Sequence, residues 1–279
     1  MIPNIFHFIF GMAEDFGGKP FSLVHYLSIK SAIEVNKPEV AFFYYQFEPQ
    51  GEWWDKAKPL LNLQKIVAPD SFMGKKLYHV AHKADVVRLQ ALQKHGGIYL
   101  DLDTICVKPL QPFFNNSFAI GEEKKAAYVP KNFRQRIKYN FRRRLGLLKE
   151  KSTAPTGLCN AVLLSEKNSA FINDWLNEYK TFRSKGRDKY WNEHSVKVPE
   201  KLAARYPEKL TILGPYVFHY PLYKESDLKM MFEEVHEFPQ ACVHHLWESF
   251  SWNKYLSKLT IEKIKTENTT YNLIARRFL

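Results

Sequence analysis

The 279-residue chain contains no long apolar run: no window reaches the roughly 18 uninterrupted apolar residues that a membrane span requires. Cysteine is scarce. Cys106, Cys159 and Cys242 lie far apart, are odd in number and form no C-x-x-C pair. This argues against a disulfide framework or a zinc site and fits a reducing compartment. The opening "MIPNIFHFIFGMAED" has neither a basic leader nor a small-residue cleavage site. It reads as a first core strand rather than a signal peptide, so the Asn-x-Ser/Thr triplets at Asn115 and Asn268 read as chance. No Gly/Ser linker and no internal repeat divides the chain, and no nucleic-acid-binding module is recognisable. The expectation is one domain over residues 1–279 that does not bind nucleic acid.

What is present is a well-cored composition, 45% hydrophobic and 15% aromatic. The formal net charge is +12, but residues 124–151 hold eleven Lys/Arg against one acid, so that segment carries +10 of it. The basicity belongs to one insertion, not to the whole fold.

Periodicity predicts alternating elements. "IPNIFHFIF" is a strand, and "FSLVHYLSIKSAIEVN" has helical spacing up to Lys37-Pro38. "EVAFFYYQF" is a strand, "GEWWDKAKPLL" a short helix and "QKIVAP" a third strand. "HVAHKADVVRLQALQKH" is a helix stopped by Gly96-Gly97, and "IYLDLDTICV" is the next strand. "LCNAVLLS", "LTILGPYVFHYP" and "ACVHHLW" are later strands, with a helix at "NSAFINDWLNEYKTF". The alternation predicts an α/β fold, a Rossmann-like and mainly parallel sheet with helices on both faces. In such sheets ligands sit at the carboxyl ends of the strands.

Within "KHGGIYLDLDTICVKPL", Asp101 and Asp103 interrupt an apolar strand. Two residues apart on a strand, they are expected on one face. Like charges held so close are costly unless a cation joins them, and hard oxygen ligands suit Mn²⁺ or Mg²⁺ beside substrate phosphates. Upstream, Asp85 and Arg88 are spaced i, i+3 on one helical face. His244 and His245 end a strand and point to opposite faces, so at most one meets the metal.

"HKADVVRLQALQKHGGIYLDLD" resembles the core of the DXD-containing retaining glycosyltransferases with a GT-A fold. That group includes α-1,4-galactosyltransferases, initiating α-1,6-mannosyltransferases and capsular-polysaccharide transferases. The combination A-D-x-x-R followed by G-G-x-Y-x-D-x-D carries the resemblance. "IPNIFHFIFG" resembles the family's opening strand and "HHLWESFSW" its closing His-x-Trp loop. The resemblance implies roles. Asp103, and Asp101 directly or through water, would bind the metal that bridges the donor diphosphate, with His245 as third ligand or phosphate contact. Asp85 and Arg88 would hold donor-sugar hydroxyls and Tyr99 would line the same site. Phe10 stands where the family often has a base-stacking Trp. Trp247, Ser251 and Trp252 would sit on a loop closing over the diphosphate. Asn160 matches a position near the sugar's reacting face. The donor implied is a UDP-hexose first and GDP-mannose second, and the acceptor a glycan or glycolipid.

"FRQRIKYNFRRRLGLLKEK" puts Phe133, Ile137, Phe141, Leu145 and Leu148 at helical spacing opposite Arg/Lys, the pattern of a membrane-surface helix. The expectation is a cytoplasmic protein, peripheral at the inner face of an anionic membrane through residues 133–148. The alternative is a surface helix with a solvated basic face. Two rival functions fit parts of the sequence. "IYLDLDTI" also resembles the first motif of haloacid-dehalogenase-type phosphatases, with Asp101 as nucleophile, although no later acidic pair suits that family's magnesium site. The other rival is a carbohydrate-binding protein without turnover.

Overall fold

In the computed structural model, residues 1–123, 137, 157–206, 208 and 210–279 are described. The basic insertion at 124–151 and its amphipathic stretch 133–148 therefore lie outside the described residues, Ile137 excepted.

The chain enters through β1 (Ile5–Ile9), and α1 (Leu23–Asn36) returns it to β2 (Val40–Tyr45). A short helix, α2 (Glu52–Ala57), leads to β3 (Asn62–Lys65). The two-residue strands β4 (Ser71–Phe72) and β5 (Lys75–Lys76) form a small hairpin before α3 (Val80–His95). The strands β6 (Gly97–Leu100), β7 (Thr104–Cys106) and β8 (Phe118–Glu122) follow. Beyond the insertion come β9 (Leu158–Ser165), α4 (Ala170–Glu178), β10 (Leu210–Leu213) and β11 (Val243–His245).

Among the described residues the main sheet has seven strands in the order β10-β8-β9-β6-β1-β2-β3. β1 is parallel to β2 and β6, β2 to β3, and β10 to β8, whereas β9 runs antiparallel to both of its neighbours. The doubly wound sheet expected from the sequence is present. Alternation along β1 sends Phe6 and Phe8 to one face and Ile9 to the other. On the first face they pack with Ile29 and Ala32 of α1, and on the second Ile9 joins Val86, Leu89 and Leu92 of α3 and Trp175 of α4. Each fully buried Phe or Leu contributes on the order of 2 kcal/mol. Below β11 the C-terminal helices bury Ile264, Tyr271 and Phe278 against Leu23, Val24 and Leu27 of α1.

β1 has β2 on one side and β6 on the other, so its neighbouring connections diverge and open a crevice at the carboxyl ends of the strands. The two glycines before β6 make this junction possible. Gly96 (φ +69°) ends α3 with its N–H on Leu92 O, and a Cβ on Gly97 (φ +103°) would lie 2.2 Å from Ile5 O.

Three expectations need correction. "IYLDLDTICV" is not one strand: β6 stops at Leu100, residues 101–103 turn, and β7 leaves the main sheet to pair antiparallel with β11. The turn is closed by Thr104 Oγ1 donating to Asp101 O at 2.7 Å. The aspartates thus flank a turn instead of sharing a strand face. The third strand lies at Asn62–Lys65, earlier than "QKIVAP" suggested. "LTILGPYVFHYP" is strand only to Leu213, because Gly214-Pro215 starts a helical turn over Pro215–Phe218.

Candidate active site

Asp101 follows the last residue of β6, and its N–H still bonds Ala161 O of β9 at 2.8 Å, so the strand pairing fixes its backbone. Its side chain meets the i, i+3 pair on α3. Arg88 Nη1 lies 3.0 Å from Asp101 Oδ1, and Nη2 lies 3.2 Å from Asp85 Oδ1. Arg88 Nη1 also donates to Asn160 O at 2.9 Å, while Asn160 Nδ2 donates to Asp85 Oδ1 at 2.8 Å. The guanidinium stacks 4.3 Å from the centre of the Tyr99 ring, and the Tyr99 hydroxyl donates to Asp101 Oδ1 at 2.5 Å. Five of the expected site residues thus form one connected network: Asp85, Arg88, Tyr99, Asp101 and Asn160. Burial raises the Asp101 carboxyl above its ordinary value, and the Arg88 charge opposes that rise.

Asp103 lies across the turn. Burial alone would raise its carboxyl, but the His245 imidazole and the Glu248 amide outweigh it and hold the group at about 2. His245 Nε2 lies 3.2 Å from Asp103 Oδ2, and the same oxygen accepts the Glu248 N–H at 2.7 Å. The Leu246 N–H bonds Asp103 O at 2.7 Å. The segment after β11 is therefore strapped to Asp103 by its backbone. His244 points the other way, with Nδ1 3.1 Å from Tyr220 O, and burial lowers it to about 4. Of the two histidines only His245 reaches the carboxylates.

Ligand atoms of Asp101, Asp103 and His245 lie within 4.8 Å of one another. Two carboxylate oxygens and an imidazole nitrogen, with Asp101 and Asp103 still partly open to solvent, are a donor set that fits Mn²⁺ or Mg²⁺.

The closing loop is tied down by residues the sequence reading did not single out. Glu248 Oε1 lies 3.0 Å from His25 Nε2, and its Oε2 accepts from Lys19 Nζ at 2.7 Å. Trp252 stacks on His25 at 6.2 Å, and Lys19 Nζ lies 5.5 Å from its ring centre. Partners 223 residues apart, such as His25 and Glu248, leave no local signal. Ser251 is fully buried, with its hydroxyl donating to Leu246 O at 2.7 Å, so it braces the loop from inside. Phe10 sits at the end of β1, half-buried, stacked on Phe16 at 5.5 Å and tilted 5.1 Å from His25. Beside it Phe16, Phe21, Gln46, Phe47 and Lys65 line an open cleft of about 510 Å³.

A profile for a glycosyltransferase sugar-binding region containing a DXD motif matches residues 26–123, from α1 to just past β8. The chain is 33% identical over 285 residues to glucan organizing enzyme 1 of Cryptococcus neoformans var. grubii, covering 100% of this chain and 71% of that protein. It is 32% identical over 119 residues to an uncharacterized glycosyltransferase of Acanthamoeba polyphaga mimivirus, covering 42% of this chain and 42% of that protein. Mouse xyloside xylosyltransferase 1 shares the fold, with a TM-score of 0.50 and 14% identity over 90% of this chain and 99% of that one. The phosphatase reading, with Asp101 as nucleophile, finds no support in these relatives. In this structure Asp101 Oδ1 is already engaged by Arg88 and Tyr99. The chain is a glycosyltransferase of GT-A fold, and it belongs to the family with a DXD-containing sugar-binding region.

Proposed function

We propose that this chain, acting as one catalytic domain, transfers a hexose from a nucleotide-sugar to a glycan or glycolipid acceptor, with Mn²⁺ or Mg²⁺ and with retention of configuration. A UDP-hexose is the first donor to test and GDP-mannose the second. The observation that carries the reading is the convergence of Asp101, Asp103 and His245 within 4.8 Å, next to the Asp85–Arg88–Asn160 network.

Asp101, Asp103 and His245 would hold the ion. When bound, it supplies Lewis-acid contact to diphosphate oxygens that gain charge as the glycosidic bond breaks. Asp85 spends Oδ1 on both Arg88 and Asn160, which leaves Oδ2 to accept a donor-sugar hydroxyl. Arg88 fixes the relative placement of Asp85 and Asp101, so the sugar contact and the metal contact are set by one side chain. Tyr99 covers the guanidinium and keeps water from it. The cleft beside Phe10 suits the nucleoside end, with the base against the Phe10–Phe16 pair. The loop carrying Trp247, Ser251 and Trp252, pinned through Glu248 to His25 and Lys19, would exclude water from the diphosphate.

The stretch 157–165 around Asn160 contains no Asp or Glu, so no carboxylate there is placed for a covalent glycosyl intermediate. That favours front-face attack by the acceptor hydroxyl within the ion pair, with the departing diphosphate taking its proton.

No helix among the described residues is long and apolar enough to cross a membrane. We keep residues 133–148 as the proposed contact with an anionic inner membrane surface, on the strength of their basic amphipathic sequence. Neutralising Arg142, Arg143 and Arg144 together should reduce sedimentation with anionic liposomes, and unchanged partitioning would dispose of the anchor.

The experiment for the enzymatic reading is a screen of nucleotide-sugars for release of nucleoside diphosphate with and without Mn²⁺ or Mg²⁺. Metal-dependent release from one donor supports it. Sugar binding without release from any donor would return the chain to a binding role.

A further inference from the structure

Behind the carboxylate turn lies a second group of donor atoms that the proposed transfer chemistry does not use. Cys159, His219 and His245 place one ligand atom each within 4.8 Å of the others, and they are 6%, 0% and 8% exposed. Three features bring them together. A bulge between Ile120 and Gly121 shifts the β8–β9 register so that Gly121 pairs with Cys159. Gly121 has no side chain, and a Cβ there would lie 2.5 Å from His219 Nε2, so the imidazole lies directly over the strand. The His219 and His245 rings are 5.9 Å apart, with Trp247 4.0 Å from His245 as a wall.

Among the described residues neither nitrogen of His219 has a hydrogen-bond partner, and Nδ1 of His245 has none beyond the neighbouring Cys159 sulfur. Buried polar atoms left unpaired cost about 1–3 kcal/mol each, so the two on the His219 ring call for a ligand. His245 already shows the arrangement that orients a metal-bound imidazole: Nε2 faces a carboxylate, Asp103, and Nδ1 is left for the cluster.

We propose that Cys159, His219 and His245 form a second metal site, selective for a soft divalent ion such as Zn²⁺, with water as the fourth ligand. On binding, one S–Zn and two N–Zn bonds form, and the protons on the Cys159 sulfur and on Nδ1 of the Asp103-paired His245 leave to solvent. The sulfur and two imidazoles discriminate against Mn²⁺ and Mg²⁺, which favour the carboxylates. The proposed site departs from the expectation drawn from cysteine spacing alone, because its ligands come from three separated strands and loops.

The two sites share His245. A neutral imidazole has one lone pair, so His245 serves the soft site or the carboxylate site, not both. Occupancy by Zn²⁺ at Nδ1 keeps the proton on Nε2 of His245, which then donates to Asp103 and cannot ligate an ion beside the carboxylates, and so inhibits transfer. Only this regulatory consequence rests on the function proposed above; the site itself does not.

The test uses Co²⁺ as a spectroscopic stand-in for Zn²⁺ on the metal-free full chain. Wild type should show a thiolate-to-cobalt charge-transfer band, displaced by Zn²⁺. The band should vanish in Cys159→Ala, while His219→Phe should weaken Zn²⁺ affinity by at least about tenfold. Melting curves check that both variants fold. Zn²⁺ should suppress Mn²⁺-supported release of nucleoside diphosphate in wild type and much less in Cys159→Ala. A wild-type protein that binds Co²⁺ without a thiolate band, a band that survives Cys159→Ala through Cys106 or Cys242, or full affinity in His219→Phe overturns the site. The spectrum is read without turnover, so an inactive chain with a thiolate band would refute the transferase reading and leave this one standing.

Discussion

Arg88 Nη1 lies 3.0 Å from Asp101 Oδ1, although the two residues belong to different elements and the same guanidinium also reaches Asp85. One buried cation thus faces two carboxylates, one proposed for the sugar and one for the metal. Its role is structural before it is catalytic, because truncating it leaves both carboxylates without their cation.

Arg88→Ala is therefore expected to cost on the order of 3–5 kcal/mol of stability, the usual penalty for breaking a buried pair from one side. Arg88→Lys should recover part of it, since an ammonium cannot span Asp85, Asp101 and Asn160 O together. Urea denaturation of the three proteins measures this. A loss below about 1 kcal/mol for the alanine variant would mean that the network is solvated in solution.

Gly97 predicts a backbone effect. With φ at +103° and no room for a Cβ beside Ile5 O, Gly97→Ala should destabilise by at least about 2 kcal/mol and displace β6 from β1. Because β6 delivers Asp101, metal affinity should fall with stability. Calorimetric melting and Mn²⁺ titration of the same variant check both, and a near-neutral substitution would show that the strands separate easily.

Acid should weaken the fold through its buried histidines. His7 sits between Tyr44 OH (3.1 Å) and Gly96 O (2.7 Å), and burial lowers it to about 4, as it does His244. Below pH 6.5 the unfolded chain takes up protons that these folded residues refuse, so stability falls as pH drops and the loss saturates below about pH 4. The full penalty is about 3 kcal/mol for each histidine. Denaturation midpoints at pH 7, 5.5 and 4.5 should decrease in that order. A flat profile would mean that these rings are protonated in the fold.

Much of this was legible in the sequence. The helix with Asp85 and Arg88, the Gly96-Gly97 junction and the strand leading to Asp101 were all readable because local spacing encodes them. His245 could be narrowed to one of two neighbours by alternation. The break between β6 and β7 was hidden, because "IYLDLDTICV" is apolar enough for a continuous strand and only the tertiary pairing of β7 with β11 ends it. The long-range partners were equally hidden. Arg88 with Asn160 O, His25 with Glu248 and Cys159 with His219 meet through sheet order and a bulge, which no window of sequence contains.

Asp103, with Asp101 and His245, is proposed to hold the ion on which transfer depends. The most direct measurement is metal-dependent release of nucleoside diphosphate from the preferred nucleotide-sugar by wild type and Asp103→Asn, with melting recorded for both. Asparagine can still accept the Glu248 N–H, so the loop and the fold should persist. The variant should melt near wild type and lose Mn²⁺- or Mg²⁺-supported release by at least about a hundredfold, the loss of several kcal/mol of charge stabilisation. Wild-type release from a folded Asp103→Asn protein would contradict it.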